Sequence, residues 1–153
     1  VRFLHNVSAP PEVHTGFLEV YSNFREKLAN KLNELKPKQV IVAGHSLGGA
    51  VSTICGLDLQ LLGYNTIVYN FASPRVGNNL FCDLVKSSKL PIYRIVNTTD
   101  IIPTFPSSVS RNFIDTDRPY IYTHCGEMIA FTSNWKSYIN NHLLPVYIEY
   151  LLT

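Results

Sequence analysis

The sequence predicts an α/β fold in which a mostly parallel sheet is flanked by helices. Short apolar stretches at 40–43, 66–71 and 92–96 are typical of buried strands, and helical patterns stand before and between them. Strands that alternate with helices are joined by right-handed crossovers and form a largely parallel sheet. The chain has 153 residues, of which 46% are hydrophobic. Since this is enough apolar material for one core, we expect residues 1–153 to form a single domain.

The predicted elements follow from spacing and from chain-breaking residues. In the first helix, 17–35, apolar residues recur three and four positions apart. It should cover one face of the sheet and end before Pro37. Strand 40–43 is continuously apolar, as expected for a strand buried in a parallel sheet. The remaining predicted elements are a helix at 46–62, a strand at 66–71, a helix at 79–86, strands at 92–96 and 121–131, and a C-terminal helix at 138–152.

Composition and cysteine spacing limit the possible partners. The formal charge of +2 is spread over isolated basic residues, so nothing in it indicates a nucleic acid partner. No apolar stretch is long enough for a membrane span, and the first residues lack the pattern of a signal peptide; a segment before Val1 would still permit secretion, so no compartment is predicted. Cys55, Cys82 and Cys125 are odd in number and widely spaced. At least one is therefore unpaired within the chain, and neither a metal nor another cofactor is expected.

The most informative segment runs from Gly44 to Gly48 and reads Gly44-His45-Ser46-Leu47-Gly48. It follows a predicted strand and opens a predicted helix, which is the context that a G-x-S-x-G nucleophile turn requires. The turn is so tight that side chains at the two glycines would clash, and it exposes the hydroxyl of Ser46 at the sheet edge. Ser46 is therefore the candidate nucleophile.

A serine needs a base to take its proton and a carboxylate to orient that base. Asp100 follows the strand at 92–96 directly, at the edge of the sheet where functional groups gather, and the proline at 103 fixes its loop. Asp115 and Asp117 lie in a polar loop and two further aspartates lie in helices, which makes all four weaker candidates.

The base follows the acid in enzymes that use this turn, which leaves His124 and His142. His142 is favoured because it lies at or just inside the start of the last helix, whereas His124 lies within a predicted strand, where the pleat fixes its direction. We expect His45 to point away from the nucleophile, and we interpret His45 and His14 as buried, hydrogen-bonded residues.

The negative charge that develops during acyl transfer needs two hydrogen-bond donors. The backbone N–H of Leu47, at the start of the helix, is predicted to be one of them. The second usually follows a strand that precedes the nucleophile strand, and only residues 1–4 resemble such a strand here.

In these motifs the chain resembles the class 3 lipases, a family of fungal triacylglycerol lipases with the α/β-hydrolase fold. Six segments match in order along almost the whole chain. They are Val13-His14-Thr15-Gly16-Phe17, Gly44-His45-Ser46-Leu47-Gly48-Gly49-Ala50, Ser73-Pro74-Arg75-Val76-Gly77-Asn78, Arg94-Ile95-Val96-Asn97 with Asp100 and Pro103, Tyr122-Thr123-His124-Cys125-Gly126, and Asn141-His142. The resemblance implies Ser46 as nucleophile, Asp100 as orienting acid, His142 as base, and hydrolysis of acylglycerol esters without a metal or organic cofactor.

The chain departs from the family upstream of Val13, where members carry a strand with the second oxyanion donor and an amphipathic lid. We therefore expect the C-terminal portion of a longer lipase, or a sheet completed by another chain, because otherwise strand 40–43 becomes an exposed edge. The predicted function is hydrolysis of lipid acyl esters, with transient contact to a lipid surface. A short-chain or aromatic-acyl esterase or a phospholipase shares every motif, and a catalytically impaired binding module is the alternative of another class.

Overall fold

A computed structural model describes residues 10–110 and 119–153 of the chain. Its helices are α1 (Thr15–Leu35), α2 (Leu47–Leu61), α3 (Asn79–Ser87), α4 (Tyr138–His142) and α5 (Leu144–Leu151), with a short 3₁₀ turn at Ile102–Thr104. Its strands are β1 (Val40–His45), β2 (Thr66–Phe71), β3 (Ile92–Asn97), β4 (Val109–Ser110), β5 (Tyr120–Ile121) and β6 (Glu127–Phe131). None of the helices that these residues form combines the length and the apolar character needed to cross a membrane.

The central sheet has four parallel strands in the order β1-β2-β3-β6, and β4 pairs with β5 in a separate antiparallel ribbon. This confirms the predicted α/β fold with a parallel sheet. Since parallel strands end at the same edge of a sheet, the residues that follow β1 and β3 lie close together. Strand β1 is the outermost strand in this order, and within the described residues it pairs only with β2.

Helices α1 and α2 cover one face of the sheet. Helix α2 packs on β1 and β2, and α1 packs on α2. The two helices are joined by the Tyr21 hydroxyl, 2.5 Å from Oδ2 of Asp58, and by two hydrogen bonds of 2.7 and 2.8 Å from Arg25 to the same carboxylate. Leu32 of α1 belongs to the same apolar core cluster as Val40 and Val42 of β1, so α1 contributes to the core on this face of the sheet.

The opposite face is covered by α5. Val146 and Tyr147 are buried against Ile95 and Phe131, together with the partly buried rings of β2 and β3. This cluster leaves β1 uncovered, because Ile41 is 62% exposed. The prediction of a strand buried on both faces is thus wrong for β1 in the described part of the chain.

The predicted strand at 121–131 is interrupted. Gly126 has a φ of +93°, a backbone conformation that ends the extended run, and the neighbouring Cys125 is bonded to Cys82 of α3. The fourth strand of the sheet is therefore only β6. Cys55 is the unpaired cysteine that the odd number predicts.

The predicted helix at 138–152 is also interrupted, at Leu143, whose φ and ψ of −65° and 141° are extended. In a continuous helix the ring of Pro145 would clash with the carbonyl of Asn141. The break separates α4 from α5 directly after His142.

Candidate active site

Ser46 lies in the sharp turn between β1 and α2. Its φ of 57° and ψ of −124° are unusual for a residue with a side chain, and such strain persists where the surrounding structure fixes it. The N–H of Ser46 donates to the carbonyl of Phe71 at 2.9 Å, which ties the turn to β2. A side chain at Gly44 is excluded, since its Cβ would lie 2.1 Å from the carbonyl oxygen of Gly48. The expected clash at Gly48 is wrong, because a Cβ there would meet nothing within 4 Å.

The three side chains proposed for the chemistry form one hydrogen-bonded line. Nε2 of His142 lies 2.7 Å from the Ser46 hydroxyl, and Nδ1 lies 2.8 Å from Oδ2 of Asp100. A ring that donates from Nδ1 to the carboxylate presents an unprotonated Nε2 to the serine. Ser46 follows β1, Asp100 follows β3 and His142 ends α4, so the residues converge from three separate elements.

The carboxylate of Asp100 is buried, with 4% of the residue exposed. Its Oδ1 accepts from the N–H of Ile102 at 2.9 Å. Its Oδ2 accepts a second bond at 2.6 Å, from the hydroxyl of Tyr147, which is fully buried in α5. Burial and this bond raise the pKa of Tyr147 far above its usual value, so the hydroxyl stays protonated as a donor. No sequence motif indicated Tyr147; a tyrosine five residues after the base is visible only as part of a helical pattern.

Asn97, the last residue of β3, holds the segment that carries His142. Its amide donates to the carbonyls of Ser133 and Asn141 at 2.9 and 3.1 Å. In return Asn141 donates to the carbonyl of Thr99 at 3.2 Å and accepts from the N–H of Trp135 at 2.7 Å. Both asparagines are buried, and neither was predicted as a site residue. Their positions in the sequence could have indicated a role at the site. Asn97 ends the strand that precedes the acid Asp100, and Asn141 directly precedes the base His142.

His45 is half-buried and hydrogen-bonded, as expected, but its partner was not foreseen. Its Nε2 lies 2.7 Å from the main-chain oxygen of His142, and the two rings pack with centroids 4.7 Å apart. Its ring therefore lies against the candidate base instead of turning away from the site.

His124 and His14 lie in other contacts. Nε2 of His124 lies 2.8 Å from the carbonyl of Pro103, in the loop that follows Asp100. Burial, with the positive charges of Arg94 and Arg75, lowers the pKa of His124 to about 4, so it is neutral near pH 7. Nδ1 of His14 accepts from the N–H of Gly16 at 3.2 Å and caps α1.

Leu47 is the first residue of α2, and its N–H is one of the helix-terminal donors without an intrahelical partner. It lies directly after the nucleophile, where the predicted oxyanion donor should be. Residues 1–4, suggested as a preceding strand, and the weaker acid candidates Asp115 and Asp117 lie outside the described residues. Within the described ranges, no group of three or more His, Cys, Asp or Glu side chains is arranged to hold a metal ion.

Apolar side chains follow the candidate acid and the candidate base along the chain. Ile101, Phe105, Leu143 and Leu144 are each between 38% and 51% exposed. Val146 of α5, by contrast, is only 1% exposed and belongs to the core between α5 and the sheet. A cleft of about 580 Å³ beside Asp100 is lined by Ile101, Thr104 and Tyr138, among others.

Known proteins resemble this chain in sequence and in fold. The model of the class 3 lipase family matches residues 1–110. A lipase from Rhizomucor miehei is 36% identical over 84% of this chain, and the chloroplastic phospholipase A(1) DAD1 from Arabidopsis thaliana is 32% identical over 71%. A solved triacylglycerol lipase, in which a serine protease triad forms the catalytic centre, superimposes on 88% of this chain with a TM-score of 0.68 and 29% identity.

The match covers only part of these relatives. The chain spans 36% of the Rhizomucor lipase, 27% of the Arabidopsis phospholipase and 50% of the solved lipase chain. The family model nevertheless covers more than two thirds of the chain, and the solved lipases share its parallel sheet flanked by helices. With this sheet and this degree of similarity, the chain is a member of the class 3 lipase family and has the α/β-hydrolase fold.

Proposed function

We propose that the protein hydrolyses acyl esters of lipids, with Ser46 as nucleophile, His142 as general base and acid, and Asp100 as the residue that orients His142. The observation that carries this is the continuous line of hydrogen bonds from the Ser46 hydroxyl through both ring nitrogens of His142 to Asp100. The names of the relatives, which include a lipase and a phospholipase A1, support a lipid ester as the substrate.

In the proposed reaction His142 takes the proton of Ser46 at Nε2 while the serine oxygen attacks the ester carbonyl. The N–H of Leu47 donates to the resulting oxyanion, and the buried Asp100 stabilises the imidazolium through Nδ1. His142 then returns the proton to the departing alcohol as the C–O bond breaks, which leaves an acyl group on Ser46. Water, deprotonated by His142, attacks this acyl group and releases the acid with Ser46 restored.

Labelling with a fluorophosphonate tests the nucleophile without knowledge of the substrate. We expect the whole protein to be labelled and to hydrolyse a soluble p-nitrophenyl ester, and we expect Ser46→Ala to abolish both. Loss of the serine in such a triad lowers turnover by a factor on the order of 10⁶. Ser52→Ala is the control, because it removes the hydroxyl of a buried serine inside α2, the helix that follows Ser46. No labelling of the whole protein would instead favour a binding module with a hydrolase fold.

The preferred ester distinguishes a lipase from the other enzymes that would share this site, namely a phospholipase and an esterase for short or aromatic acyl groups. Emulsified triacylglycerol, phosphatidylcholine vesicles and soluble short-chain and aromatic esters form a suitable panel. We expect long-chain glycerol esters to give the highest kcat/KM. A clear preference for the phospholipid would assign the protein to the phospholipase branch, and a preference for soluble esters would contradict the lipase assignment.

We further propose that the apolar residues beside the site contact a lipid surface. Tyr138 and Ile139 are 71% and 77% exposed and lie on α4, the helix that ends at His142. Exposed apolar residues grouped near a site indicate an interaction surface. Ile139→Ser should weaken sedimentation with lipid vesicles and lower activity on emulsions, and leave hydrolysis of a soluble ester unchanged. Leu152→Ser is the control, since Leu152 is 82% exposed but lies at the far end of α5.

The outer edge of β1 is proposed to pair with a further strand in the whole protein. Within the described residues this edge pairs with nothing, and Ile41 exposes its side chain beside it. Such edges promote aggregation unless they are covered. The strand would come from the same polypeptide or from a partner chain, and it would supply the second oxyanion donor. Hydrogen exchange of the β1 amides that face away from β2 tests this, because rapid exchange in the whole protein would contradict it.

A further inference from the structure

We propose that His45 is a positioning residue that holds His142 in place beside Ser46. The inference rests on the proposed function, because it assigns His45 a role toward the general base of that reaction. Nε2 of His45 lies 2.7 Å from the main-chain oxygen of His142, and its ring packs on the ring of His142 at a tilt of 34°. His45 thus contacts both the backbone and the imidazole of the same residue.

The main-chain oxygen of His142 needs a donor from outside its helix. His142 is the last residue of α4, and carbonyls in the last turn of a helix lack intrahelical partners. The following residue, Leu143, is extended, so the chain does not continue into α5 as a regular helix. The bond from His45 therefore fixes the backbone at the point where α4 ends.

This bond also links the base to the nucleophile by a short path. His45 is the last residue of β1 and precedes Ser46 directly. The strand that carries the nucleophile therefore contacts His142 twice, through the Ser46 hydroxyl at 2.7 Å and through the ring of His45. A change at His45 should alter the distance between serine and base without touching the substrate.

The charge state of His45 suits this role. The titratable groups that face it are His142, Asp100 and Tyr147, whose ring lies 5.7 Å away. Burial, and to a smaller extent His142, lowers the pKa of His45, which keeps its ring neutral near pH 7. A neutral ring with one proton donates from Nε2 to the carbonyl. It also adds no positive charge beside the imidazolium that His142 forms during the proposed reaction.

Three substitutions separate the donor from the ring. His45→Gln removes the ring but carries an amide nitrogen at the position of Nε2, three bonds from Cβ. His45→Asn removes the same ring and carries its nitrogen two bonds from Cβ, too short to reach the carbonyl. His45→Phe keeps a packed ring and has no donor. All three are made in the whole protein and compared after their melting temperatures have been recorded.

We expect His45→Asn and His45→Phe to lower kcat by about 10- to 100-fold, with KM within twofold of wild type, because a misplaced catalytic group affects the chemical step. His45→Gln should recover at least tenfold over His45→Asn in both kcat and the rate of fluorophosphonate labelling. The comparison of Gln with Asn remains decisive even if loss of the ring lowers stability, since both variants share that loss.

Two outcomes identify which proposal fails. If the wild-type protein neither reacts with the fluorophosphonate nor hydrolyses any ester, the proposed function is wrong. If the wild-type protein is active and the Gln and Asn variants have equal kcat, or His45→Phe equals the wild type, His45 has no positioning role and the proposed function is unaffected.

Discussion

The hydroxyl of Tyr147 lies 2.6 Å from Oδ2 of Asp100, the same oxygen that is 2.8 Å from Nδ1 of His142. Asp100 thus accepts from an aromatic hydroxyl and from the candidate base at one atom. Tyr147 also contacts the N–H of Asn97 at 3.3 Å, so the residue connects α5 with the end of β3. The helix that covers one face of the sheet therefore helps to hold the acid of the proposed triad.

Replacement of Tyr147 by phenylalanine should lower both stability and turnover. A hydrogen bond to a charged group contributes roughly 1.5 to 3 kcal/mol, and the phenyl ring preserves the packing on Phe131. We expect a loss of that size in the free energy of unfolding, measured by urea denaturation, and a drop in kcat of about tenfold. Tyr150→Phe is the control, because the ring of Tyr150 stacks on the same Phe131, and the side-chain bond that this residue accepts comes from Thr153, outside the Asp100 network. Equal effects of the two variants would show that the bond to Asp100 contributes nothing.

Removal of the Asn97 side chain should release the segment that carries His142. Asn97→Ala deletes the bonds donated to the carbonyls of Ser133 and Asn141. The Ser133 carbonyl keeps a bond from the Thr99 hydroxyl, whereas the carbonyl of the buried Asn141 loses this donor. Each buried polar group left unsatisfied costs about 1 to 3 kcal/mol. We therefore expect a decrease of about 1 to 3 kcal/mol in the free energy of unfolding and a fall in kcat at temperatures where the protein stays folded. Thr98→Ala is a control, since its hydroxyl bonds Thr132 on the exposed side of the same loop. An Asn97→Ala variant as stable as Thr98→Ala would contradict this role.

Elements that are defined by residues close together in the sequence were predicted well. The strand at β2 matches its predicted bounds, 66–71, because a short apolar run between turn residues is sufficient to identify it. The exposure of Ile41 was missed, because burial depends on which elements pack against a strand and the sequence does not specify this. The interruption at Leu143 could have been predicted, because Pro145 stands in the middle of the predicted helix.

The candidate site was predictable where chemistry requires particular residue types at strand ends. Ser46 and Asp100 could be proposed on that ground, and His142 from the order of the three residues along the chain. The distances between the three side chains agree with the proposal. Tyr147, Asn97 and His45 could not, because their roles depend on contacts between residues separated by 44 to 97 positions. Tyrosine and asparagine in such positions are ordinary constituents of a core or a turn until the fold is known.

Loss of the disulfide should destabilise the protein. Cys82 and Cys125 are separated by 43 positions, and they join α3 to the turn that precedes β6. A cross-link closing a loop of that length stabilises by about 4 kcal/mol in the chain-entropy description, with a typical measured range of roughly 2 to 4 kcal/mol. The variant Cys82→Ser/Cys125→Ser should therefore unfold at lower urea concentration, and a reducing agent should shift the wild type toward the same midpoint. Cys55→Ala is the control, because Cys55 is buried and unpaired, so this variant should keep the response to the reductant. If the reducing agent does not change the urea midpoint of the wild type, the prediction is contradicted.

Acidification should destabilise the fold through His124. Its pKa is lowered from 6.5 to about 4 in the folded protein, first by burial and then by Arg94 and Arg75. Between these two values the unfolded chain binds more protons than the folded one, so stability is highest above pH 6.5 and falls as the pH drops toward 4. The contribution of this residue is up to about 3 kcal/mol over that window. His124→Gln cannot take up a proton and keeps an amide that can donate to the carbonyl of Pro103. Its free energy of unfolding should therefore vary less with pH than that of the wild type, and parallel curves for the two proteins between pH 4 and 6.5 would contradict the assignment.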